Sequence, residues 1–277
     1  MTRRGDTLLF DAPPTVAAWA AAGGKKESEG PLASAFDFVT QDAAFGEQGC
    51  ENWEQAESLL QRKAVELCLR KADIPRSKVD IAFAGDLQAQ CTASNYTMRE
   101  LGIPFAGVYG ACSTMAQGLA LGGVLVEAGA AARLSVSASS HFCSAERQYR
   151  FPLAYGGQRT PTAQWTATAA GAAVLGAEGA SDVCLTHVLF GKMVELGVKD
   201  ANNMGAAMAP EDVNLDPYIF RRAERCVLQK IRYYHNHSLV FPLERTETEN
   251  RQSHLIPYLT SSGILSAQMF FLSKHRR

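Results

Sequence analysis

Cys112 is the residue of this chain whose type and position offer the clearest chemistry. It stands between a short apolar run at 105–109 and a predicted helix at 113–128. A thiol at the N-terminus of a helix faces unpaired backbone N–H groups and the positive end of the helix dipole, which favour the nucleophilic thiolate. Gly110 permits the tight turn that this placement needs. A small buried residue is the other interpretation, and the sequence leaves both open.

Polar residues follow two further predicted strands. They are Asp86, after the strand at 79–84, and Ser139, Ser140 and His141, at the end of the strand at 134–139. Where strands alternate with helices, ligands bind at the carboxyl ends of the strands. We therefore expect these residues to line one site together with the turn at Cys112.

Helices and strands alternate along residues 1–190 and must position these side chains. Apolar spacing predicts helices at 53–72, 92–101 and 113–128, and short apolar runs predict strands at 79–84, 105–109, 134–139, 166–175 and 183–190. This alternation indicates βαβ units, a mainly parallel sheet with helices on its faces, and an α/β fold. The third helix contains Gly118, Gly122 and Gly123. Because glycine costs helix stability, we expect this helix to pack closely against another element.

The composition excludes several classes of protein. The 277 residues carry a formal net charge of -1, so no basic field would attract nucleic acid. No apolar run approaches the roughly 18 residues of a membrane-spanning helix, and the N-terminus lacks the apolar stretch of a signal peptide. The seven cysteines show no CxxC spacing. We therefore expect free thiols in a reducing compartment, with no metal site and no cofactor.

The composition changes abruptly near Pro210. Of the 23 glycines only Gly263 lies beyond it, whereas four of the six histidines do. The segment 211–277 contains ten lysines and arginines against seven acidic residues, and the preceding part contains 17 against 21. We therefore predict two unlike regions, 1–210 and 211–277, the second an atypical tail that is disordered or arises from a shift of reading frame.

Short motifs across residues 7–210 together resemble the stage V sporulation protein AD family, a specialised branch related to thiolases and ketoacyl synthases. The motifs are Gly30–Leu32, Ala84–Leu87, Asn95–Tyr96, Gly107–Met115, Ser139–His141, Ala145–Gln148, Tyr155–Gln158 and Met204–Pro210. The resemblance implies a thiolase-like layered αβαβα fold made of two similar halves. We expect the first half to be present and the second to be replaced or truncated, because 211–277 departs from the family pattern.

The resemblance also implies a function. A member of this family would bind dipicolinic acid (pyridine-2,6-dicarboxylic acid) and act with other stage V sporulation A membrane proteins in a channel for its uptake into the spore and its release at germination. Without a membrane-spanning segment, the protein would be peripheral, on the cytosolic face of the forespore or spore inner membrane. A homodimer is compatible with a thiolase-like fold.

The ligand site implied by the resemblance comprises Cys112, Ser113, Thr114, Ser139, Ser140, His141, Arg147 and Asp86. The helix N-terminus, a protonated His141 and Arg147 would supply the N–H donors and cations that a flat dianion needs. Arg147 could instead form a structural ion pair with Glu146 or Asp86. The alternative functions are a Cys112-dependent acyltransferase or condensing enzyme and a fragment with neither activity. Because the second-half catalytic residues are missing, we favour binding over catalysis.

Overall fold

The structure is a computed structural model that describes residues 1–30, 32–149, 166–176, 181, 183–190 and 270–274, with the backbone alone at 112, 146–149 and 270–274. Its strands are β1 (Thr2–Arg4), β2 (Thr7–Leu9), β3 (Thr15–Gly23), β4 (Phe38–Val39), β5 (Ile81–Gly85), β6 (Phe105–Gly107), β7 (Arg133–Ser140), β8 (Ala169–Gly176), β9 (Val183–Leu189) and β10 (Phe270–Lys274). Its helices are α1 (Lys25–Ser28), α2 (Trp53–Lys71), α3 (Thr92–Leu101), α4 (Thr114–Glu127) and α5 (Phe142–Tyr149).

The strands form a single mixed sheet in the order β1-β2-β9-β3-β8-β7-β5-β6. Strand β5 pairs in parallel with β6 and β7, whereas β8 runs antiparallel to both β3 and β7. The prediction of a mainly parallel sheet is therefore wrong for the half around β3, β8 and β9. Strands β8 and β9 follow each other without a crossover helix in the described residues, so no βαβ unit fixes their direction.

Helices cover both faces of the sheet and build a hydrophobic cluster on each. On one face, Leu60 of α2 and Met98 of α3 pack on alanines of β3, β5 and β8. On the other, Leu119 of α4 packs on Leu134 and Val136 of β7. We call these the α2 face and the α4 face. Successive residues of a strand point to opposite faces, so each strand end offers side chains to both.

Helix α4 lies unusually close to the sheet. A Cβ atom at Gly118 would stand 2.5 Å from Cγ1 of Val136, and one at Gly122 would stand 2.7 Å from Cδ2 of Leu134. A Cβ at Gly123 would meet Cζ of Phe10 at 2.9 Å. The close packing predicted from the three glycines is confirmed.

The three predicted helices are confirmed with ends within one residue of the predicted ones. Asn52 is the N-cap of α2: its side chain accepts a hydrogen bond from the Gln55 N–H at 2.9 Å. Gly102 ends α3 in the left-handed conformation, with φ of 65°. No helix in the described part of the chain is long and apolar enough to cross a membrane.

Seven of the described helices and strands were not predicted: β1, β2, β3, β4, β10, α1 and α5. Strand β3 reads TVAAWAAAG, and alanine has little preference for strands. Its alanines lie under α2, where small side chains let the helix approach. The boundary predicted near Pro210 lies outside the described residues. Of the segment 211–277 the structure describes β10, which pairs antiparallel with β9.

Candidate functional site

Cys112 lies in a tight turn between β6 and α4. Residues 111–113 form one turn of 3₁₀ helix, and α4 begins at Thr114. The turn is closed by its own hydroxyl groups: Ser113 Oγ donates to the Gly110 carbonyl at 2.7 Å, and the Gly110 N–H donates to Thr114 Oγ1 at 3.2 Å. The structure thus places Cys112 at the helix N-terminus, as the sequence predicts.

The backbone of this turn is strained and tightly seated. Ala111 has a φ of 47°, a left-handed conformation that costs a non-glycine residue about 1–2 kcal/mol. Beneath the turn, a Cβ at Gly85 would stand 2.0 Å from the Val108 carbonyl oxygen and 2.4 Å from Cγ2 of Thr114. The chain therefore needs glycine at the end of β5 to let the turn of Cys112 rest on it.

Asp86 follows β5 and points to the α2 face. Its carboxylate accepts hydrogen bonds from the Gln88 N–H at 2.9 Å, the Ser94 N–H at 2.8 Å and the Ser94 hydroxyl at 2.6 Å. Burial raises the pKa of Asp86, although these bonds act in the opposite direction. Asp86 therefore fixes the loop before α3.

Glu57 of α2 is a second buried carboxyl group beside Asp86, and the sequence analysis missed it. Its Oε2 accepts from Gln88 Nε2 at 2.7 Å and from the Ser144 hydroxyl at 2.8 Å, and its Oε1 accepts from the Ser139 hydroxyl at 3.1 Å. Burial raises the pKa of Glu57 to about 7, and the neighbouring charge of Asp86 adds to the effect. A glutamate within the apolar stripe of α2 was the signal that could have revealed it.

His141 is buried against Trp53, with the ring centroids 5.2 Å apart. Its Nδ1 accepts a hydrogen bond from the Cys143 N–H at 3.2 Å, and its Nε2 lies 2.8 Å from the Ala43 carbonyl oxygen. These partners suit a neutral imidazole that carries its proton on Nε2. Burial also lowers the pKa of His141, so the expectation of a protonated imidazole is not supported.

A cavity of about 350 Å³ opens beside His141 on the α2 face. Its wall is mostly apolar and includes Trp53 and Phe142, with Lys25 and Lys26 of α1 also contributing. The cavity therefore combines an aromatic wall with two lysine residues of α1, of which Lys26 has its ammonium 3.6 Å from the Glu29 carboxylate. No local pattern in the sequence indicates this cavity, because its residues come from five separate segments of the chain.

The sheet divides the predicted site residues between its two faces. Ser139 bonds Glu57 on the α2 face, which also holds Asp86 and His141. The residues of the Cys112 turn belong to the α4 face, and so does Ser140, the next residue after Ser139 in β7. The Ser140 hydroxyl donates to the Ala167 carbonyl at 2.6 Å. Arg147 lies in α5, and its side chain is outside the described part.

Solved structures with low sequence identity resemble the chain in part. The 3-oxoacyl-[acyl-carrier-protein] synthase III of Aquifex aeolicus VF5 is 12% identical, with a TM-score of 0.42, and the match covers 65% of this chain and 58% of that one. An OleA variant of Xanthomonas campestris is 13% identical, with a TM-score of 0.49, and the match covers 79% of this chain and 73% of that one.

Sequence comparison gives the family. The family model for stage V sporulation protein AD matches residues 4–226. Stage V sporulation protein AD of Bacillus subtilis (strain 168) is 40% identical over 206 residues, which make up 74% of this chain and 59% of the relative. The chain thus spans about three-fifths of the length of that relative. The α/β fold class that the sequence predicts is confirmed by the single sheet with helices on both faces. The chain belongs to the stage V sporulation protein AD family.

Proposed function

We propose that this chain binds dipicolinic acid and serves as a peripheral component of the spore machinery that moves it. The observation that carries the proposal is the 40% identity to a stage V sporulation protein AD over 206 residues. These residues include the Cys112 turn and the carboxyl ends of β5 and β7. Membership of the family supplies the sporulation context. The ligand itself is inferred from the resemblance together with the chemistry of the turn.

The polar groups of the Cys112 turn are already hydrogen-bonded to one another. The Ser113 hydroxyl already donates to Gly110, and the Thr114 hydroxyl accepts from the same residue. These two side chains therefore shape the turn. The N–H groups of Ser113 and Thr114 also donate within it, to the carbonyls of Gly110 and Ala111. In this proposal the positive end of the α4 dipole attracts the carboxylate. Arg147 would supply the cation for the second carboxylate from α5.

Asp86, Ser139 and His141 have a different role in this proposal. Their polar atoms are engaged on the α2 face, so they would hold the edge of the sheet that carries the ligand. Ser140 is the residue of the β7 end that faces the same side as the Cys112 turn.

The proposal extends to location and partners. We place the protein at the cytosolic face of the forespore or spore inner membrane, with other stage V sporulation A membrane proteins as its partners and with a second copy of itself as a further one. Membership of the stage V sporulation protein AD family supports this inference.

Calorimetric titration of the full chain with dipicolinate tests the binding. Saturable binding is expected, with affinity reduced at least about tenfold by Cys112→Ala and by Arg147→Ala, because each loses one partner of a charged ligand. Cys50→Ala is the control for removing a thiol elsewhere, and benzene-1,3-dicarboxylate is the control ligand without the ring nitrogen. No saturable binding would refute the function. Loss caused by Lys25→Ala with Cys112→Ala unaffected would move the site to the cavity beside Trp53.

Acyl transfer through Cys112 is the second candidate, and one observation favours it. The left-handed Ala111 presents the following cysteine at a helix N-terminus, an arrangement that suits a nucleophile. Intact-mass spectrometry after incubation with an acyl-CoA would then show one acyl group, absent after prior alkylation of the thiols and absent in Cys112→Ala. An unchanged mass in the untreated protein would reject this candidate.

We also propose that the family pattern ends close to Pro210. The family model reaches residue 226, shortly past the composition change, and leaves the rest of the chain unmatched. Translation of the other two reading frames downstream of codon 210 tests the idea of a shifted frame. A glycine-rich second half in either frame would support it, and its absence from both would refute it.

A further inference from the structure

Glu57 and Asp86 form a buried acidic pair joined by one residue. Gln88 donates its backbone N–H to Asp86 and its side-chain amide to Glu57. Glu57 and Gln88 are 0% and 5% exposed, and Asp86 is 1% exposed. Two carboxylates in such a setting are costly to ionise together, because neither is solvated and each repels the other.

The surroundings of Glu57 offer no cation among the described side chains. Strands β3 and β8, which pack on α2, contain no ionisable residue, and β7 contributes only Arg133 at its opposite, exposed end. In α3, Arg99 and Glu100 pair with each other at the surface. Helix α5 carries Glu146 and Arg147 and is preceded by the neutral His141. Among the described side chains, Asp86 is therefore the charge that acts on Glu57.

Ser144 gives the pair a way to hold a proton. Its hydroxyl lies 2.8 Å from Oε2 of Glu57 and 3.0 Å from the His141 carbonyl oxygen. When Glu57 is ionised, Ser144 donates to the carboxylate. When Glu57 is protonated, Ser144 can donate to His141 and accept from the carboxylic acid, so both protonation states keep the contact.

We propose that Glu57 is a proton-operated latch that ties the first turn of α5 and the loop at 86–91 to helix α2. With the proton bound, the hydrogen bonds to Ser139, Ser144 and Gln88 hold these segments at the edge of the sheet. Loss of the proton leaves two negative charges in one buried site. The segments that carry Ser144 and Gln88 then open more often, which admits water to the carboxylates.

The direction of the effect follows from linkage. Burial raises the pKa of Glu57 from an ordinary value of 4.5 to about 7. A group whose pKa is raised by the closed structure stabilises that structure at low pH, and the contribution is lost as the pH rises to the raised pKa. Between about pH 6 and about pH 8 the equilibrium constant for local opening should rise about tenfold.

Amide hydrogen exchange of the full chain at about pH 6 and about pH 8, corrected for intrinsic rates, measures this opening. The wild type should lose about tenfold protection in the first turn of α5 and in the loop at 86–91. Glu57→Gln mimics the protonated acid and should remove that loss. Glu66→Gln, on the same helix, is the matched control and should retain it.

Two results would overturn the latch. The first is equal protection of the wild type at both pH values, and the second is the same loss in Glu57→Gln as in the wild type. If Glu57→Gln does not fold, Asp86→Asn serves instead. Removal of the Asp86 charge lowers the pKa of Glu57, so the loss of protection should then occur at a lower pH; an unchanged midpoint would contradict the proposal.

Discussion

Replacement of Gly118 by alanine tests the seating of α4 on the sheet. The new Cβ would stand 2.5 Å from Cγ1 of Val136 and 3.4 Å from Cβ of Phe83. Val136 is completely buried in β7, between β5 and β8, and a β-branched side chain has few rotamers in which to retreat. Relief to an ordinary contact of about 3.5–4.0 Å therefore requires α4 or β7 to move.

Two opposing terms set the magnitude for Gly118→Ala. Alanine in a helix interior is more favourable than glycine by about 1 kcal/mol. Overpacking of a tight core costs about 1–3 kcal/mol. The cost here should lie near the upper end, because Cγ1 of Val136 is held close to the backbone and cannot move away alone. The expected net result is a loss of about 2 kcal/mol in the free energy of unfolding.

Urea denaturation of the full chain, followed by far-ultraviolet circular dichroism, measures the difference. Gly123→Ala is the matched control on the same helix, because its new Cβ would meet Cζ of Phe10, the far end of a ring that can tilt. This variant should lose less than about 1 kcal/mol. A Gly118→Ala protein as stable as the wild type, or more stable, would refute the close approach of α4 to Val136.

Two further changes probe the elements around the site. Asn52→Ala removes the acceptor for the Gln55 N–H and should lower the free energy of unfolding by about 1 kcal/mol, measured in the same urea titration. No change would show that α2 does not depend on this cap. Gly85→Ala places a Cβ 2.0 Å from the Val108 carbonyl oxygen and should lower the free energy of unfolding by about 3 kcal/mol or prevent folding. Failure to fold would be seen as loss of soluble protein and of helical signal. Normal yield and stability would contradict the described turn.

Helices α2, α3 and α4 were predictable because each carries its signals within its own sequence. α2 repeats Ala56, Leu60 and Ala64 on one buried side, and α3 ends at a glycine with positive φ. Strand β3 was not predictable in this way. Its alanines are selected by the approach of α2, a tertiary condition that local preference does not express.

The sequence predicts which strand ends contribute to the candidate site. It does not predict which face each side chain points to or which residues contact one another. The placement of Cys112 at the start of α4 follows from a strand, a glycine and a helix in sequence order. The division of Ser139 and Ser140 between two faces depends on the register of β7. The pairing of Glu57 with Ser144 joins residues 87 positions apart, and no local pattern announces a contact of that separation.

The alternation along β7 makes the length of this strand as important as its side chains. Ser139 donates to Glu57 and its neighbour Ser140 donates to Ala167, on opposite sides of one sheet. A single residue inserted between Val136 and Ser139 would turn each hydroxyl to the opposite face. The acidic pair would then lose the Ser139 donor, and Ser139 would take the place of Ser140 on the side of the Cys112 turn. In this chain, spacing alone decides which chemistry each serine serves.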